Sequence, residues 1–335
     1  MRYAITVITI AALSGLFAFP RPSSAETALV MVVNSYDINH SWVRAHNDAL
    51  RERLASRARI DGFDMDTKRI PPEAYRDAAE RAWQAIEAAK PDVVVLTDDN
   101  AVRLLGPRVM RKGIPLVFLG VNQNPRTYLG GMEGATGVLE RPLYKRSLIF
   151  LREIMGPKLK RSLILFDSGA TSQVIMNTAF KDKTSLKLGG TSADVRQVGT
   201  FAEWQQAVLS AGDRGYNAIF AGLYHSLTDD QGMHVPYDTV ITWTSANASV
   251  PVFGYWDFSV GPDRAVGGLV NSGRPQGEAA AELVLKILDG EPAGSLYPVT
   301  PKDGQFLFSR SGLRRWNIHL PDSVTRAAEP VRYVD

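Results

Sequence analysis

The sequence contains no cysteine in 335 residues, which excludes a disulfide framework, thiolate metal sites and an acylated amino-terminal cysteine. Histidine is scarce, with five in the whole chain. His40 and His46 do not stand at the i, i+4 spacing that would put two metal ligands on one helical face. No H-E-x-x-H, no G-x-S-x-G and no G-x-x-x-x-G-K-[ST] occurs, and no G-x-G-x-x-G sits between a strand and a helix. A zinc protease, a hydrolase nucleophile elbow and the common nucleotide sites therefore have no footing here. Charge of one sign is lacking too: 38 Lys and Arg face 35 Asp and Glu. No basic excess implies nucleic acid as a partner. Beyond the amino-terminal segment no apolar run approaches the roughly 18 residues that a membrane span needs.

What is present begins with a secretory signal pattern. Arg2 supplies the charged start, residues 3–19 an apolar run, and Ser23-Ser24-Ala25 a small-residue cleavage site. Cleavage is expected between Ala25 and Glu26, leaving a soluble exported chain in a periplasm. It also removes two basic residues and no acid, so 38 against 35 becomes 36 against 35, a balance of +1.

The remaining chain reads as strands and helices in alternation. Residues 93–96 and 116–119 are short apolar runs separated by one helix's length, and each ends in carboxylates, amides or glycine. Such runs suit strands of a parallel sheet covered on both faces. Ligands gather at the carboxyl ends of strands in sheets of this kind, here Thr97-Asp98-Asp99-Asn100 and Gly120-Val121-Asn122-Gln123-Asn124. The run from Ala28 predicts a first strand, followed by a helix from Ser41, whose hydroxyl is expected to cap it, with Val43, Leu50 and Leu54 on one face. Residues 72–90 predict an amphipathic helix. The glycine-rich passage 130–137 reads as the approach to a crossover.

Beyond it the alternation starts afresh. Strands are expected at 162–166, 194–198, 218–223 and 250–255, and helices at 142–155, 173–180, 201–211 and 275–288. Polar or aromatic residues again close each strand, among them Ser168, Ser172, Tyr224, Trp256 and Asp257. In the first loop, turn chemistry accounts for Asn34, Ser35 and Asp37. It gives no reason for Tyr36, His40 and Trp42 to cluster there.

Five stretches carry a resemblance: VVNSYDINHSWVRAHNDALRERL, PDVVVLTDDNAV, GIPLVFLGVNQNP, GVLERPLYKRSL and VGGLVNSGRPQGEAAAELVLKILDGE. In this order and spacing the chain resembles type I periplasmic binding proteins. Within them it is similar to the substrate-binding family of ABC importers that includes tryptophan- and tyrosine-type receptors. The resemblance implies an α/β fold of two Rossmann-like lobes joined by three crossover segments, closing on a ligand by hinge bending. One lobe would comprise residues 26–136 and 271–290, the other 137–270 and 291–335.

Carried over position by position, the ligand would meet Ser35, Tyr36 and Trp42 from the first loop, then Asp98, Asp99, Asn100 and Asn122. The second lobe would offer Ser168, Ser172, Tyr224, Trp256 and Asp257, with Asn271 at a hinge. Tyr36, Trp42, Tyr224 and Trp256 are candidate walls for a planar or apolar group, against the plainer reading of core packing. Asp98 and Asp99 suit an ammonium group, and the helix start near Ser168–Ser172 suits a carboxylate, which together favour an amino acid. A sugar uses similar residues, and helix capping alone would also explain Asp98-Asp99-Asn100. Arg141 reads as a surface or hinge residue.

The function expected is a periplasmic receptor that delivers its solute to the membrane permease of an ABC importer. The alternatives are a soluble sensor presenting its ligand state to a membrane histidine kinase, a sugar-binding receptor and, more distantly, a hydrolase. A monomer without cofactor, metal or catalytic residues is expected.

Overall fold

Five parallel strands form the first sheet: β1 (Ala28–Asn34), β2 (Ala58–Asp64), β3 (Val93–Thr97), β4 (Leu116–Val121) and β5 (Ala135–Leu139), in the order β2-β1-β3-β4-β5. The computed structural model describes residues 27–301, 304–325 and 330–335. The expected signal segment, residues 1–25, lies outside them. Helices α1 (Ser41–Leu54), α2 (Tyr75–Ala89), α3 (Asp98–Arg111) and α4 (Pro125–Leu129) connect these strands.

The second sheet holds β6 (Arg161–Asp167), β7 (Ser185–Leu188), β8 (Thr191–Val198), β9 (Ala218–Ala221) and β10 (Val252–Gly254) in the order β10-β9-β6-β8-β7, with only β7 antiparallel to its neighbour. Its helices are α5 (Tyr144–Met155), α6 (Ala170–Ile175), α7 (Phe201–Leu209) and α8 (Tyr237–Asn247). Strand β11 (Gly267–Val270) then leads into α9 (Gly273–Leu288), and β12 (Gln305–Phe308) and β13 (Arg332–Tyr333) complete a small third sheet with β11. The result is an α/β fold of two Rossmann-like lobes joined by three crossovers, after β5, after β11 and before β12.

The unbroken apolar strands follow from coverage on both faces. Alternate residues point to opposite sides of a strand. Val30, Val32, Val93, Val95, Val117 and Leu119 meet Leu50 and Leu54 of α1 and Ala280, Ala281, Leu283 and Val284 of α9. On the other face Met31, Val33, Val94, Leu96, Leu116 and Phe118 meet Ala78, Ala82, Trp83 and Ile86 of α2 and Val102 and Leu105 of α3. Thus α9, late in the sequence, belongs to the core of the first sheet. Its approach to α1 demands glycine, because a Cβ on Gly273 would lie 2.4 Å from the Trp42 carbonyl oxygen and one on Gly277 2.3 Å from that of His46.

Several sequence expectations need correction. Strand β2 is missing from the reading because an edge strand with the sequence ARIDGFD has no clean alternation, and its residues are mostly half-exposed. Strand β5 begins inside the passage read as a crossover approach, so the boundary drawn between residues 136 and 137 falls within a paired strand. Residues 291–335 do not all join the second lobe. Val299 exchanges backbone hydrogen bonds with Gly137 and Leu139 along β5 before the chain crosses to β12. The cap of α1 is His40, whose Nδ1 accepts from the Trp42 N–H at 3.2 Å, and not Ser41.

Candidate functional site

The carboxyl ends of the strands in the two sheets face each other across a closed cleft. Tyr36, directly after β1, reaches over it, and its hydroxyl lies 3.0 Å from Thr171 Oγ1 at the start of α6. Tyr36 is buried by that contact, and it joins the apolar cluster of the second lobe together with Trp42 and Val43. The residues around this bridge divide into those the fold consumes and those it leaves unpaired.

Asp99, Ser35 and Ser172 are consumed. The Asp99 carboxylate accepts from the Asn122 N–H at 3.1 Å, the Gln123 N–H at 3.0 Å and the Tyr128 hydroxyl at 3.1 Å, so it shapes the loop after β4. The Ser35 hydroxyl donates to the Thr97 carbonyl at 2.5 Å and accepts from the Ala101 N–H at 2.8 Å, anchoring the start of α3. Ser172 donates to Asp167 Oδ1 at 2.5 Å, while the same carboxylate also takes the N–H groups of Gly169 and Ser226. The helix start expected to receive a ligand carboxylate is therefore filled by Asp167. Ser168 is exposed and lines an outer groove of about 790 Å³ at the cleft mouth. Asn100 is buried and donates to Thr67 Oγ1 at 2.9 Å.

Asp98 behaves differently from its neighbour. Its backbone adopts the left-handed conformation at φ 60°, an arrangement that is uncommon for a residue other than glycine. Its side chain is buried, and Oδ2 has no hydrogen-bond partner among the described residues. Burial pushes its pKa well above the usual carboxylate range, Glu140 pushes in the same direction and Lys68 opposes it. A left-handed backbone and an unpaired polar atom at one buried residue are costs that the closed fold does not itself offset.

Glu140, in the crossover after β5, joins the two lobes. Its Oε2 accepts from the Asn122 side chain at 2.8 Å and its Oε1 from the Trp256 indole at 2.6 Å. Burial pushes its pKa up to about 7, against the pull of those two donors. Trp256 consequently serves the closed core and does not stand as a free wall. Its ring stacks on Phe258 at 6.0 Å and meets Tyr144 edge-on. Tyr224 is also a core residue, with its hydroxyl 3.1 Å from Ser259 Oγ and its ring stacked on His225. Trp42 packs edge-on against His46 of its own helix and joins the second-lobe cluster. Asp257 is largely buried beside the crossover after β11, where burial raises its pKa and Ser272 opposes the shift. Asn271, on that crossover, donates its backbone N–H to the Tyr255 carbonyl.

The residues that sequence reasoning passed over are Lys68, His225, Thr67 and Asp167. Lys68 and Thr67 follow the unread β2, so nothing announced a strand end there. Lys68 extends over the Tyr36 ring, its Nζ 4.0 Å from the centroid. Burial pulls its pKa down to about 8, while Asp98, Asp167 and Glu140 pull upward. His40 of the first lobe meets His225 of the second at a centroid distance of 4.8 Å, and burial followed by Lys68 holds both well below the usual imidazole range. These rings, with Tyr36 and Tyr237, line an inner cavity of about 210 Å³. Among the described residues no group of three or more His, Asp or Glu side chains is placed to hold a metal ion, and no helix is long and apolar enough to cross a membrane.

No protein-family model and no curated protein matches the sequence. Solved structures do match in three dimensions. An ABC domain from Streptococcus pneumonia in complex with L-Trp is similar with a TM-score of 0.66 at 15% identity, over 91% of this chain and 100% of that one. The ligand-free, open structure of a substrate-binding protein with adhesive properties from Clostridium difficile gives 0.64 at 14% identity, over 92% and 99%. An ABC transporter solute-binding protein from Bacillus halodurans with bound myo-inositol gives 0.56 at 11%, over 90% and 96%. With two sheets of this topology, three crossovers and a cleft between them, the chain has the type I periplasmic-binding fold that these solute-binding proteins share.

Proposed function

We propose that this protein is a periplasmic solute-binding receptor that captures a small ammonium-bearing ligand, of amino-acid type, between its lobes and hands it unchanged to the permease of an ABC importer. The observation that carries this reading is Asp98. A buried carboxylate in a strained backbone, with one oxygen unpaired and a second acid, Glu140, close enough to raise its pKa, is suited to a cation that arrives from outside. Tyr36, held across the cleft by Thr171, would close over the ligand. The similarity to proteins whose structures contain L-Trp or myo-inositol supports a receptor and leaves the ligand class to the site chemistry.

Entry requires the lobes to part, because Asp98 is buried in the closed form. Affinity then reports how much better the ligand binds the closed state than the open one. A thermal-shift screen of the mature protein against amino acids, amines, sugars and small carboxylates tests the reading. Amino acids are expected to raise the melting temperature; stabilisation by sugars alone would overturn the ligand class.

A further inference from the structure

We propose that Lys68 is the anchor for an anionic group on the ligand, and that the captured solute therefore carries a carboxylate held between Lys68 and the facing imidazoles of His40 and His225. This rests on the receptor reading and replaces the helix start near Ser168–Ser172 as the place where the anion goes.

The first observation is position. Lys68 lines the inner cavity of about 210 Å³, the outer groove of about 790 Å³ and a narrow space of about 30 Å³ beside Asp167 and Thr171. It stands where the three meet, between the lobes. The second is the lack of a partner. Among the described residues no carboxylate lies within ion-pair distance of its Nζ, whereas the adjacent Arg69 pairs with both Asp37 and Asp66 at 2.8 Å. The ammonium instead lies over the Tyr36 ring, 4.0 Å from its centroid. A half-buried cation without an ion pair adds little to the stability of the closed protein, so an anionic partner from outside would find it free.

The third observation is the company it keeps. Nε2 of His40 and both ring nitrogens of His225 are buried without hydrogen-bond partners. A neutral imidazole still has one N–H to donate, so each ring can supply a hydrogen bond to an oxygen placed beside Lys68. The charge of the surroundings limits the anion. Asp98, Glu140 and Asp167 are buried and act on Lys68, while the other cation lining the cavity, Arg69, is already paired with Asp37 and Asp66. A singly charged carboxylate fits that field better than a phosphate dianion, which would meet more repulsion than one ammonium can offset. Asp98 is close enough to act on the Lys68 charge, so the ammonium and the carboxylate of one zwitterion would each meet an opposite charge here.

The probes are amino acids, the amines that lack their carboxylate, the acids that lack their amine, and neutral sugars, each tested by thermal shift and then calorimetry. Amino acids are expected to bind, and removing the carboxylate should weaken binding at least tenfold. Lys68→Met, which keeps length without charge, is expected to melt at or above the wild-type temperature while losing that carboxylate preference; Lys68→Arg should keep part of it. An amine or a sugar that binds as tightly as the matching carboxylate would leave the receptor standing and overturn the anion anchor. Lower melting temperatures in both variants together with lost binding would assign Lys68 a structural role and likewise overturn it. If no probe of any class binds, the receptor reading fails and this inference falls with it.

Discussion

The Trp256 indole donates to Glu140 Oε1 across 2.6 Å, tying a strand end of the second lobe to a crossover segment that starts in the first. The bond is buried, and it links residues separated by 116 positions in the sequence. Its strength depends on the charge of Glu140, whose pKa burial pushes up to about 7.

Trp256→Phe removes the donor and keeps an aromatic ring. The cost is expected to be about 1–3 kcal/mol, that of leaving a buried acceptor unpaired. The folded pKa of Glu140 is raised, so its contribution to stability is fully present below the unfolded value near 4.5 and is lost as pH rises through about 7. Because the indole favours the ionised form, its loss should hurt more at pH 8 than at pH 5. Thermal melts at both values check this; an equal loss at each would contradict it.

His40 and His225 predict a pH effect of opposite sign in the ligand-free protein. Their closed-state pKa values lie well below the ordinary imidazole value of 6.5, through burial first and then Lys68, with His46 adding to the shift of His40, and His40 and His234 to that of His225. Tyr237 packs against both rings. A depressed pKa gives stability that is present above 6.5 and lost as pH falls below it. Two such groups weaken closure by at most about hundredfold per pH unit. Small-angle scattering should show the lobes opening between pH 7 and 5, and His225→Phe should flatten the transition.

Asp98→Asn separates stability from recognition. Neutralising a buried carboxylate that keeps one oxygen unpaired should leave the ligand-free melting temperature unchanged or higher. Binding of an amine-bearing solute should fall by about tenfold or more, ~1.4 kcal/mol, because its charge partner is gone. A neutral sugar should lose far less, and calorimetry on both ligand types distinguishes the cases.

Gly277→Ala tests the packing of α9 on α1. The added Cβ would stand 2.3 Å from the His46 carbonyl oxygen, a backbone atom that cannot swing aside. Overpacking of this kind should destabilise by about 1–3 kcal/mol, read from the urea midpoint. No change would mean that the two helices have room to separate.

Much of the architecture was legible before any coordinates. The runs at β1, β3, β4, β6 and β9 are apolar at nearly every position and end in polar residues, and α2 and α9 carry clear stripes, so local chemistry alone announces them. Where one side of an element is wet and the pattern blurs, as in β2, the reading failed, and Thr67 and Lys68 were lost with it. Tyr36 and Asp98 stand among the candidates because each follows a strand that could be read.

The sequence by itself determined the alternation of strands and helices and the set of polar and aromatic residues at strand ends, since both depend on neighbours a few positions away. Which of those residues the fold consumes was decided only by the tertiary structure. Asp98 and Asp99 are adjacent and chemically identical. Yet Asp99 takes two N–H groups and a hydroxyl from a loop more than twenty residues on, while Asp98 keeps an unpaired oxygen. Hydrogen-bond satisfaction depends on which groups the folded chain brings within about 3 Å, and spacing along the sequence does not record that.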